Sequence, residues 1–318
     1  MKTYKCRYAQ KDGHPDLSGY VLLCSASYEK RWRCIPVAHL ETSKVYLFTA
    51  VDCDPTILKE AAKFRRERQG VDQPVELKIG NPIHSADYIL AIIQEIIKCG
   101  WRKICIDITT FTHEHLLMLL RIVLASMDKF DKVICAYMHA SEYSIGDAVK
   151  TKWLSKGCRE VRSVIGYPGM QSPLCSTDLI VLSGYEYERA MCMIDEICPE
   201  SLTIGRALLD ECTHKHEIPE EGFLAIVARG SANCWKISDF RFHSSDVNVA
   251  MAEIQRQIKL LPNFNHIIAP MNSKLSTLAV ACIAAKEQSL QVCYAEPERY
   301  NIFDYASPGD YVTYVEIK

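Results

Sequence analysis

The chain has 318 residues, of which 48% are hydrophobic and 24% charged, and its 37 basic side chains nearly balance its 39 acidic ones. This length fits one large or two ordinary domains with buried cores, and the balance of charge excludes the broad basic surface of a general DNA binder. The sequence offers no apolar run of 18 residues and no apolar segment at its start. We therefore expect a cytoplasmic globular protein that contacts no membrane.

Fifteen cysteines are spread along the chain, with no C-x-x-C pair and no Cys/His cluster at zinc-site spacing. Many of them lie inside apolar segments, which is typical of reduced cysteines that act as small hydrophobic side chains in a reducing compartment. We expect all fifteen to be reduced. The sequence predicts no metal site and no cofactor.

Short apolar runs alternate with helical patterns along the whole chain. The predicted strands are residues 21–26, 45–50, 75–79, 104–108, 133–137, 179–183, 202–204, 223–227, 240–242, 267–269 and 291–294. The predicted helices are residues 55–68, 86–98, 114–127, 246–261 and 273–286. Apolar strands separated by such helices are typical of β-α-β units, so the sequence predicts an α/β fold with mostly parallel sheets.

An internal repeat divides the chain. H-S-A-D at residues 84–87 recurs as H-S-S-D at 243–246, and Y-E-K at 28–30 recurs as Y-E-R at 187–189, both at an offset of 159. The second and the final strands align at offsets of 157 to 159. The sequence therefore predicts two tandem, homologous, Rossmann-like domains at 1–150 and 176–318, with a linker at 151–175. We expect a pseudo-twofold axis to relate them.

The turn after the first strand of each repeat is the first candidate ligand site, because ligands of open α/β sheets bind at the carboxyl ends of strands. A hydroxyl and a small residue open each turn, and the candidates are Ser25, Tyr28, Ser183, Gly184 and Tyr185. Neither a G-x-G-x-x-G nor a P-loop motif occurs. The alternative is a plain turn in which the serine caps the following helix.

The turn after the fourth strand of each repeat is the second candidate. The candidates in the first repeat are Asp107, Thr109, Thr110, Thr112 and His113, and those in the second are Asn272, Ser273 and Lys274. Hydroxyls at a helix N-terminus can hold an anion, and Lys274 can neutralise a phosphate. The alternative is helix capping alone. The adjacent His113, Glu114 and His115 lack the i,i+4 spacing of a zinc motif.

Two further repeated motifs have open roles. In the H-S-x-D motif, Asp87 and Asp246 are predicted N-caps, which leaves His84 and His243 as residues that could face a shared cleft. Near the last strand, Tyr137 and Tyr143 align with Tyr294 and Tyr300. These tyrosines could stack on a base or could pack a domain interface.

The segments T-T-F-T-H-E and P-M-N-S-K-L-S-T-L, each following an apolar strand, resemble the last core turn of CRISPR-associated Rossmann-fold (CARF) sensors, which reads T-G-G-T-K-x-M. Thr109, Thr110 and Thr112 fall on hydroxyl positions of that pattern, and Asn272, Ser273 and Lys274 fall on its G-T-K positions. The glycines are missing. The tandem arrangement also resembles members in which two such domains enclose a cyclic nucleotide. The resemblance implies a sensing role in prokaryotic antiviral defence, with any effector activity on a partner protein.

These observations favour a non-catalytic sensor that binds a small anionic, nucleotide-like ligand between its two domains. One alternative is an enzyme acting on a nucleotide or phosphorylated substrate, with Asp107, His113 or Glu114 as acid/base groups. Another alternative is a protein-interaction subunit that binds no ligand.

Overall fold

The computed structural model describes residues 1–50, 54–143, 153–208, 220–303 and 305–318. The chain divides into two compact units, each with its own sheet. Unit 1 comprises Met1–Ala148 and Ile302–Lys318, and unit 2 comprises Val149–Asn301. Both sheets are mostly parallel, so the predicted α/β fold class is confirmed.

The described strands, in chain order, are β1 (Lys2–Arg7), β2 (Val21–Ala26), β3 (Lys44–Ala50), β4 (Val75–Leu77), β5 (Lys103–Asp107), β6 (Lys132–Tyr143), β7 (Ser155–Lys156), β8 (Glu160–Ser163), β9 (Thr177–Leu182), β10 (Ser201–Leu208), β11 (Lys236–His243), β12 (Asn265–Pro270), β13 (Gln291–Glu296), β14 (Arg299–Tyr300) and β15 (Ala306–Glu316). The described helices are α1 (Cys34–Ala38), α2 (Thr56–Glu67), α3 (Pro82–Lys98), α4 (His113–Ala125), α5 (Tyr187–Ile197), α6 (Glu220–Asn233), α7 (Val247–Leu260) and α8 (Lys274–Ala284).

The sheet of unit 1 has the order β1-β15-β6-β5-β2-β3-β4. Strands β6, β5, β2, β3 and β4 are parallel, whereas β15 runs antiparallel to both β6 and β1. All six residues of the central strand β2 are buried, which is expected when helices cover both faces of a parallel sheet. On one face Leu22 and Cys24 pack with Ile57 and Phe64 of α2.

The sheet of unit 2 has the order β11-β10-β9-β12-β13-β8, in which only β8 runs antiparallel to its neighbour. A separate two-stranded ribbon joins β7 to β14. Helices α5 and α6 pack on each other and bury Met193, Ile194 and Ile226 against the sheet. The five parallel strands of each unit share the order 3-2-1-4-5, which is the order of a Rossmann sheet, with an antiparallel strand beside the fifth.

The unit boundaries differ from the predicted domain bounds of 1–150 and 176–318. Strand β15 lies between β1 and β6 of unit 1, so residues 302–318 do not belong to the second repeat. The predicted linker 151–175 carries β7 and β8 in its described part and belongs to unit 2. The reason is pairing over a long sequence distance: Val312 to Glu316 pair with Met138 to Ile134.

Two local predictions were wrong. Residues 223–227, predicted as a strand, lie inside α6, because a short apolar run fits a buried helix face as well as a strand. Asp87 does not cap α3, which begins five residues earlier at Pro82; there the Asn81 side chain accepts from the His84 backbone N–H at 3.1 Å. The predicted cap Asp246 is confirmed, since its carboxylate accepts from the N–H groups of Asn248 and Val249.

The thirteen cysteines within the described ranges are free thiols, while Cys53 and Cys212 lie outside those ranges. In the described part of the chain, no helix is both long and apolar enough to cross a lipid bilayer.

Candidate functional site

The end of β5 places a buried carboxyl group at the carboxyl edge of the unit 1 sheet. Asp107 is 1% exposed, and its Oδ1 accepts from both the backbone N–H and the hydroxyl of Thr109. The Thr109 hydroxyl in turn accepts from the backbone N–H of Met138 on β6 at 3.0 Å. The other carboxyl oxygen, Oδ2, is buried without a hydrogen-bond partner. Burial raises the pKa of Asp107 to about 7, although the two bonds from Thr109 act in the opposite direction.

A matching hydrogen bond closes the turn between the first and fourth parallel strands of each unit. In unit 1 the Thr110 hydroxyl donates to the backbone carbonyl of Ser25 at 2.6 Å. In unit 2 the Asn272 amide donates to the carbonyl of Ser183, also at 2.6 Å. This is the switch point of a Rossmann sheet, where ligands bind in such folds. Within each unit the structure therefore brings together the candidate turn after the first strand and the candidate turn after the fourth. The side chains of Thr110 and Asn272 already have hydrogen-bond partners inside the protein.

The predicted helix starts serve as caps. The hydroxyl of Thr112 accepts from the His115 N–H and caps α4, and that of Ser273 accepts from the Ser276 N–H and caps α8. The Ser273 hydroxyl also donates to the carbonyl of Ser244 at 2.5 Å. His113 is a buried first residue of α4, whereas Lys274 is a half-buried first residue of α8. The capping interpretation is thus confirmed for both hydroxyls.

Gly184 follows β9 where the chain passes close to the turn before α8. A Cβ atom on this glycine would lie 2.1 Å from the carbonyl oxygen of Met271 and 3.5 Å from the Cα of Asn272. The sequence analysis named Gly184 as a candidate ligand contact. The structure shows that this position needs a glycine because the Met271 carbonyl leaves no room for a Cβ atom. The next residue, Tyr185, lines a cavity described below.

We expect Gly184→Ala to lower the free energy of unfolding by about 2–3 kcal/mol, because a backbone oxygen cannot move aside as a flexible side chain can. Urea denaturation measures the change. Gly80→Ala is the matched control, since a Cβ there meets nothing within 4 Å and the φ of Gly80 is not positive. Equal stability of the two variants would contradict the close approach.

A small cavity of about 50 Å³ lies in unit 2 where the first β-α turn meets the ribbon strand β7. Its lining residues are Trp153, Ser155, Lys156, Tyr185, Glu186, Tyr187 and Glu188. In unit 1 the side chain of Tyr28, from the corresponding turn, packs edge-on against Tyr305 with ring centroids 5.7 Å apart. Tyr185 is thus the predicted site residue that contacts an open space, whereas Tyr28 contacts an aromatic neighbour.

The polar groups around the cavity differ in how they are bound. Glu186 is buried and accepts from Ser155 and from Arg189, and Glu188 accepts from the backbone N–H of Gly157 at 3.0 Å. The Lys156 ammonium lies 5.0 Å from the centre of the Trp153 ring. Across the residues that the structure describes, this ammonium forms no ion pair with a carboxylate. Glu186 makes no side-chain capping bond to α5.

A buried Glu–Arg–Tyr–Tyr cluster, which the sequence reasoning missed, occurs in both units. In unit 1, Arg31 pairs with Glu29, donates to the Met138 carbonyl at 3.0 Å and lies against the rings of Tyr137 and Tyr143. In both units the two tyrosine hydroxyls are hydrogen-bonded to each other.

In unit 2, Arg189 pairs with Glu186 at 2.6 Å, donates to the Ala295 carbonyl at 2.7 Å and lies over the ring of Tyr294. The matching positions are 157 or 158 residues apart, so the repeat aligns Arg189 with Arg31 and not with Lys30. The signal available in the sequence was the pair of tyrosines six residues apart. These tyrosines pack inside each unit.

No protein-family model matches this chain, and no curated protein sequence matches it. Among solved structures, an ABC transporter solute-binding protein from Burkholderia multivorans is 11% identical, over 85% of this chain and 77% of that one, with a TM-score of 0.24. A ketoreductase from the macrolactin assembly line is 7% identical, over 91% of this chain and 72% of that one, with a TM-score of 0.24. Similarities at this level carry no argument about the activity of this protein.

Proposed function

We propose that the protein is a non-catalytic binding protein for a small anionic, nucleotide-like ligand, which it takes up at the carboxyl edge of the unit 2 sheet. The observation that carries the proposal is the cavity at the first β-α turn, lined by Tyr185 and Lys156. A cavity at the end of a parallel strand and the start of a helix is where open α/β sheets receive ligands. Its volume of about 50 Å³ admits one small group of such a ligand, such as a phosphate, and not a whole nucleotide.

The charges around this turn favour an anion. The carboxylate of Glu186 is already neutralised by Arg189, that of Glu188 accepts from the backbone N–H of Gly157, and Lys156 forms no ion pair within the described ranges. Lys274 begins α8, and the turn before α8 touches Gly184, the neighbour of Tyr185. The N-termini of α5 and α8 add partial positive charge at the same edge. A phosphate or carboxylate is the ligand group that such a set of donors complements.

The burial of the acid/base candidates favours a binding role over a catalytic one. Asp107 and Glu114, two of the three acid/base candidates, are each 1% exposed, and His113 is buried as well. A general acid or base must come within hydrogen-bond reach of the substrate proton that it transfers. We therefore favour a binding role over an enzyme. A regulatory role with an effector partner, which the CARF resemblance implies, belongs to this proposal.

A thermal-shift screen with nucleotides, cyclic oligonucleotides and sugar phosphates tests the proposal, because a ligand that binds the folded state raises its stability by RT ln(1 + [L]/Kd). We expect at least one phosphate-bearing class to raise the melting temperature and its unphosphorylated nucleoside or sugar to have no effect. A screen in which no anionic compound shifts the melting temperature would instead favour a protein-interaction subunit.

For a ligand that the screen identifies, we expect Lys274→Ala to weaken binding by about 1.5–3 kcal/mol, because a charge-assisted hydrogen bond to phosphate is lost. Isothermal titration calorimetry measures the loss. Lys286→Ala is the matched control: Lys286 is exposed just beyond the other end of α8, so its removal changes the net charge equally. If both variants weaken binding alike, the effect is one of overall charge and Lys274 does not contact the ligand.

A further inference from the structure

We propose that unit 1 contains a pH-sensitive latch, a chain of hydrogen bonds in which the hydroxyl of Tyr314 joins two histidines. The closed latch holds one extra proton, and loss of this proton loosens residues 1–14 from β15. The side chains that form the latch are Glu41, His39, Tyr314 and His14. The latch lies in unit 1, so it would stand if the ligand site proposed for unit 2 proved wrong.

The latch joins three parts of the chain that are far apart in the sequence. His14 lies in the connection between β1 and β2, His39 follows α1, and Tyr314 lies on β15. The Tyr314 hydroxyl is 2.7 Å from Nδ1 of His14 and 2.7 Å from Nε2 of His39. At the two ends, Nε2 of His14 is 3.1 Å from the backbone carbonyl of Tyr8, and Nδ1 of His39 is 2.8 Å from Oε1 of Glu41. All four distances are those of hydrogen bonds.

These four hydrogen bonds need four protons, one for each. The carbonyl and the carboxylate at the two ends can only accept, so the outer nitrogen of each histidine ring carries a proton. The Tyr314 hydroxyl supplies one further proton, which serves only one of its two bonds. The last bond needs a ring that donates from both of its nitrogens, and such a ring is an imidazolium cation. The closed latch therefore contains one protonated histidine.

The environment of each group assigns the extra proton to His14. Burial lowers the pKa of His39, which is 1% exposed, although its bond to Glu41 acts in the opposite direction. Burial acts to raise the pKa of Glu41, but the bond from His39 and other interactions outweigh it, so the pKa is lowered and the carboxylate is ionised. Burial raises the pKa of Tyr314, which keeps its hydroxyl protonated. His14 is half-buried and can exchange its proton with solvent.

The groups around the latch agree with this assignment. Arg68, just after α2, donates to the backbone carbonyl of His39 at 3.0 Å, and its positive charge favours a neutral His39 ring. Asp16 comes two residues after His14, and the backbone bond from Ser18 lowers its pKa, so it is ionised. The neutral titratable groups packed nearby, whose pKa values burial raises, are Tyr4, Cys6, Tyr8, Cys34 and Cys105.

Raising the pH opens the latch. When His14 loses its extra proton, its Nδ1 and the Tyr314 oxygen face each other as two acceptors, because the hydroxyl proton is already donated to His39. The closed latch binds a proton that the loosened segment does not need, so closure is favoured at low pH and is lost as the pH rises. The backbone N–H of Tyr8 donates to the carbonyl of Asp310 on β15 at 2.7 Å, which makes this amide a direct reporter of the opening.

Hydrogen exchange of the full chain at pH 6.0 and pH 8.5, corrected for the intrinsic exchange rates, tests the latch. We expect the protection of the peptide that covers residues 1–14 to fall about tenfold between these pH values, because a charge-assisted hydrogen bond is lost. Asp107 titrates in part of this range. The same comparison is therefore made in Asp107→Asn, where the fall should persist.

Two further variants assign the effect to one histidine. His14→Gln cannot hold the extra proton, so the protection of residues 1–14 should no longer depend on pH. His84→Gln is the matched control, since His84 lies on α3 against Tyr88 and outside the latch, and it should keep the fall. The proposal is overturned if the wild-type protein shows no fall, or if His14→Gln shows the same fall as the wild type.

A second measurement needs no variant, so a folding defect in His14→Gln cannot obscure the result. The wild-type protein is labelled with ¹⁵N-histidine, and nuclear magnetic resonance at pH 6.0 reports which ring nitrogens carry protons. We expect one of the two histidine rings that contact the Tyr314 ring to be protonated on both nitrogens. If both rings carry a single proton at this pH, the latch holds no extra proton and the proposal is wrong.

Discussion

Arg189→Met is expected to lower the free energy of unfolding by about 3–5 kcal/mol, because it leaves the carboxylate of Glu186 buried without its charged partner. The side chains of Arg189 and Glu186 are 3% and 6% exposed, and the pair is 2.6 Å long. The change also removes the donor to the Ala295 carbonyl. Urea denaturation, followed by circular dichroism, measures the loss.

A matched surface pair controls for the loss of an arginine as such. Arg229 makes two bonds to Asp195 at 2.5 Å each, yet both side chains are more than a third exposed. Solvent screens such a pair, so Arg229→Met should change stability by no more than about 1 kcal/mol. If Arg229→Met and Arg189→Met cost the same, burial does not set the energy of the Glu186 pair.

A double variant separates the effect of the unpaired Glu186 carboxylate from the effect of the lost packing. In Glu186→Gln with Arg189→Met the buried group is neutral, and its amide oxygen can still accept from Ser155. We expect this variant to regain most of the stability that Arg189→Met loses. Arg31→Met in unit 1 should behave like Arg189→Met, because Arg31 and Glu29 are equally buried. Arg31 also bonds the corresponding turn of unit 1 to β6, the counterpart of β13.

The buried Glu–Arg–Tyr–Tyr clusters could not be predicted from the local sequence pattern. A glutamate and an arginine two or three residues apart usually lie on the surface, so nothing in their local pattern indicated burial. Their burial depends on β6 and β13, which come more than 100 residues later in the chain and supply the tyrosines and the accepting carbonyls. Such partners become visible only when the strands are assembled.

The parallel strands, by contrast, could be predicted because their apolar pattern is local in the sequence. Strand β2 is a continuous apolar run, and its bounds agree with the prediction because both faces of the sheet are covered and each residue must be apolar or small. Strand β15 was missed: it carries Pro308 and Gly309 and is only partly buried in its first half. Its place in the sheet is set by partners more than 160 residues away on β6.

The sequence indicated where two of the candidate hydroxyls lie but not which groups they bind. The hydroxyls of Thr110 and Ser273 do lie at the carboxyl edges, as the alternation of strands and helices predicted. Both nevertheless donate to backbone carbonyls of neighbouring turns, and no sequence pattern specifies those acceptors. The cavity was missed because Trp153 and Lys156 fall in the segment that was taken as a linker.

We compare the free energy of unfolding of Asp107→Asn with that of the wild type. The difference in favour of the variant is expected to be about 4 kcal/mol larger above pH 7 than near pH 4. The folded-state pKa of Asp107 is about 7, raised by burial, against an ordinary value of 3.8. Between those values the folded protein holds a proton that the unfolded chain has lost. Each pH unit in this window therefore costs the wild type up to about 1.4 kcal/mol of stability.

The sign follows from which state binds more protons. For a carboxyl group whose pKa is raised on folding, stability is greatest below pH 4, falls as the pH rises towards 7, and is constant above that. Asparagine has the shape of the protonated carboxyl and does not ionise, so the variant lacks this fall. Its amide oxygen can still accept from Thr109, while its amide nitrogen takes the place of Oδ2, which has no partner in the wild type.

Urea denaturation of both proteins at pH 4, 5, 6, 7 and 8 measures the difference. Asp131→Asn is the matched control: Asp131 is exposed, and its bond from Arg102 holds its pKa below the ordinary value, so removing it should not alter the pH dependence between pH 5 and 8. Parallel stability profiles for wild type and Asp107→Asn would show that Asp107 is ionised throughout this range in the folded protein. A divergence confined to pH 4 to 7 would instead establish Asp107 as the buried acid that this edge of the unit 1 sheet holds in its neutral form.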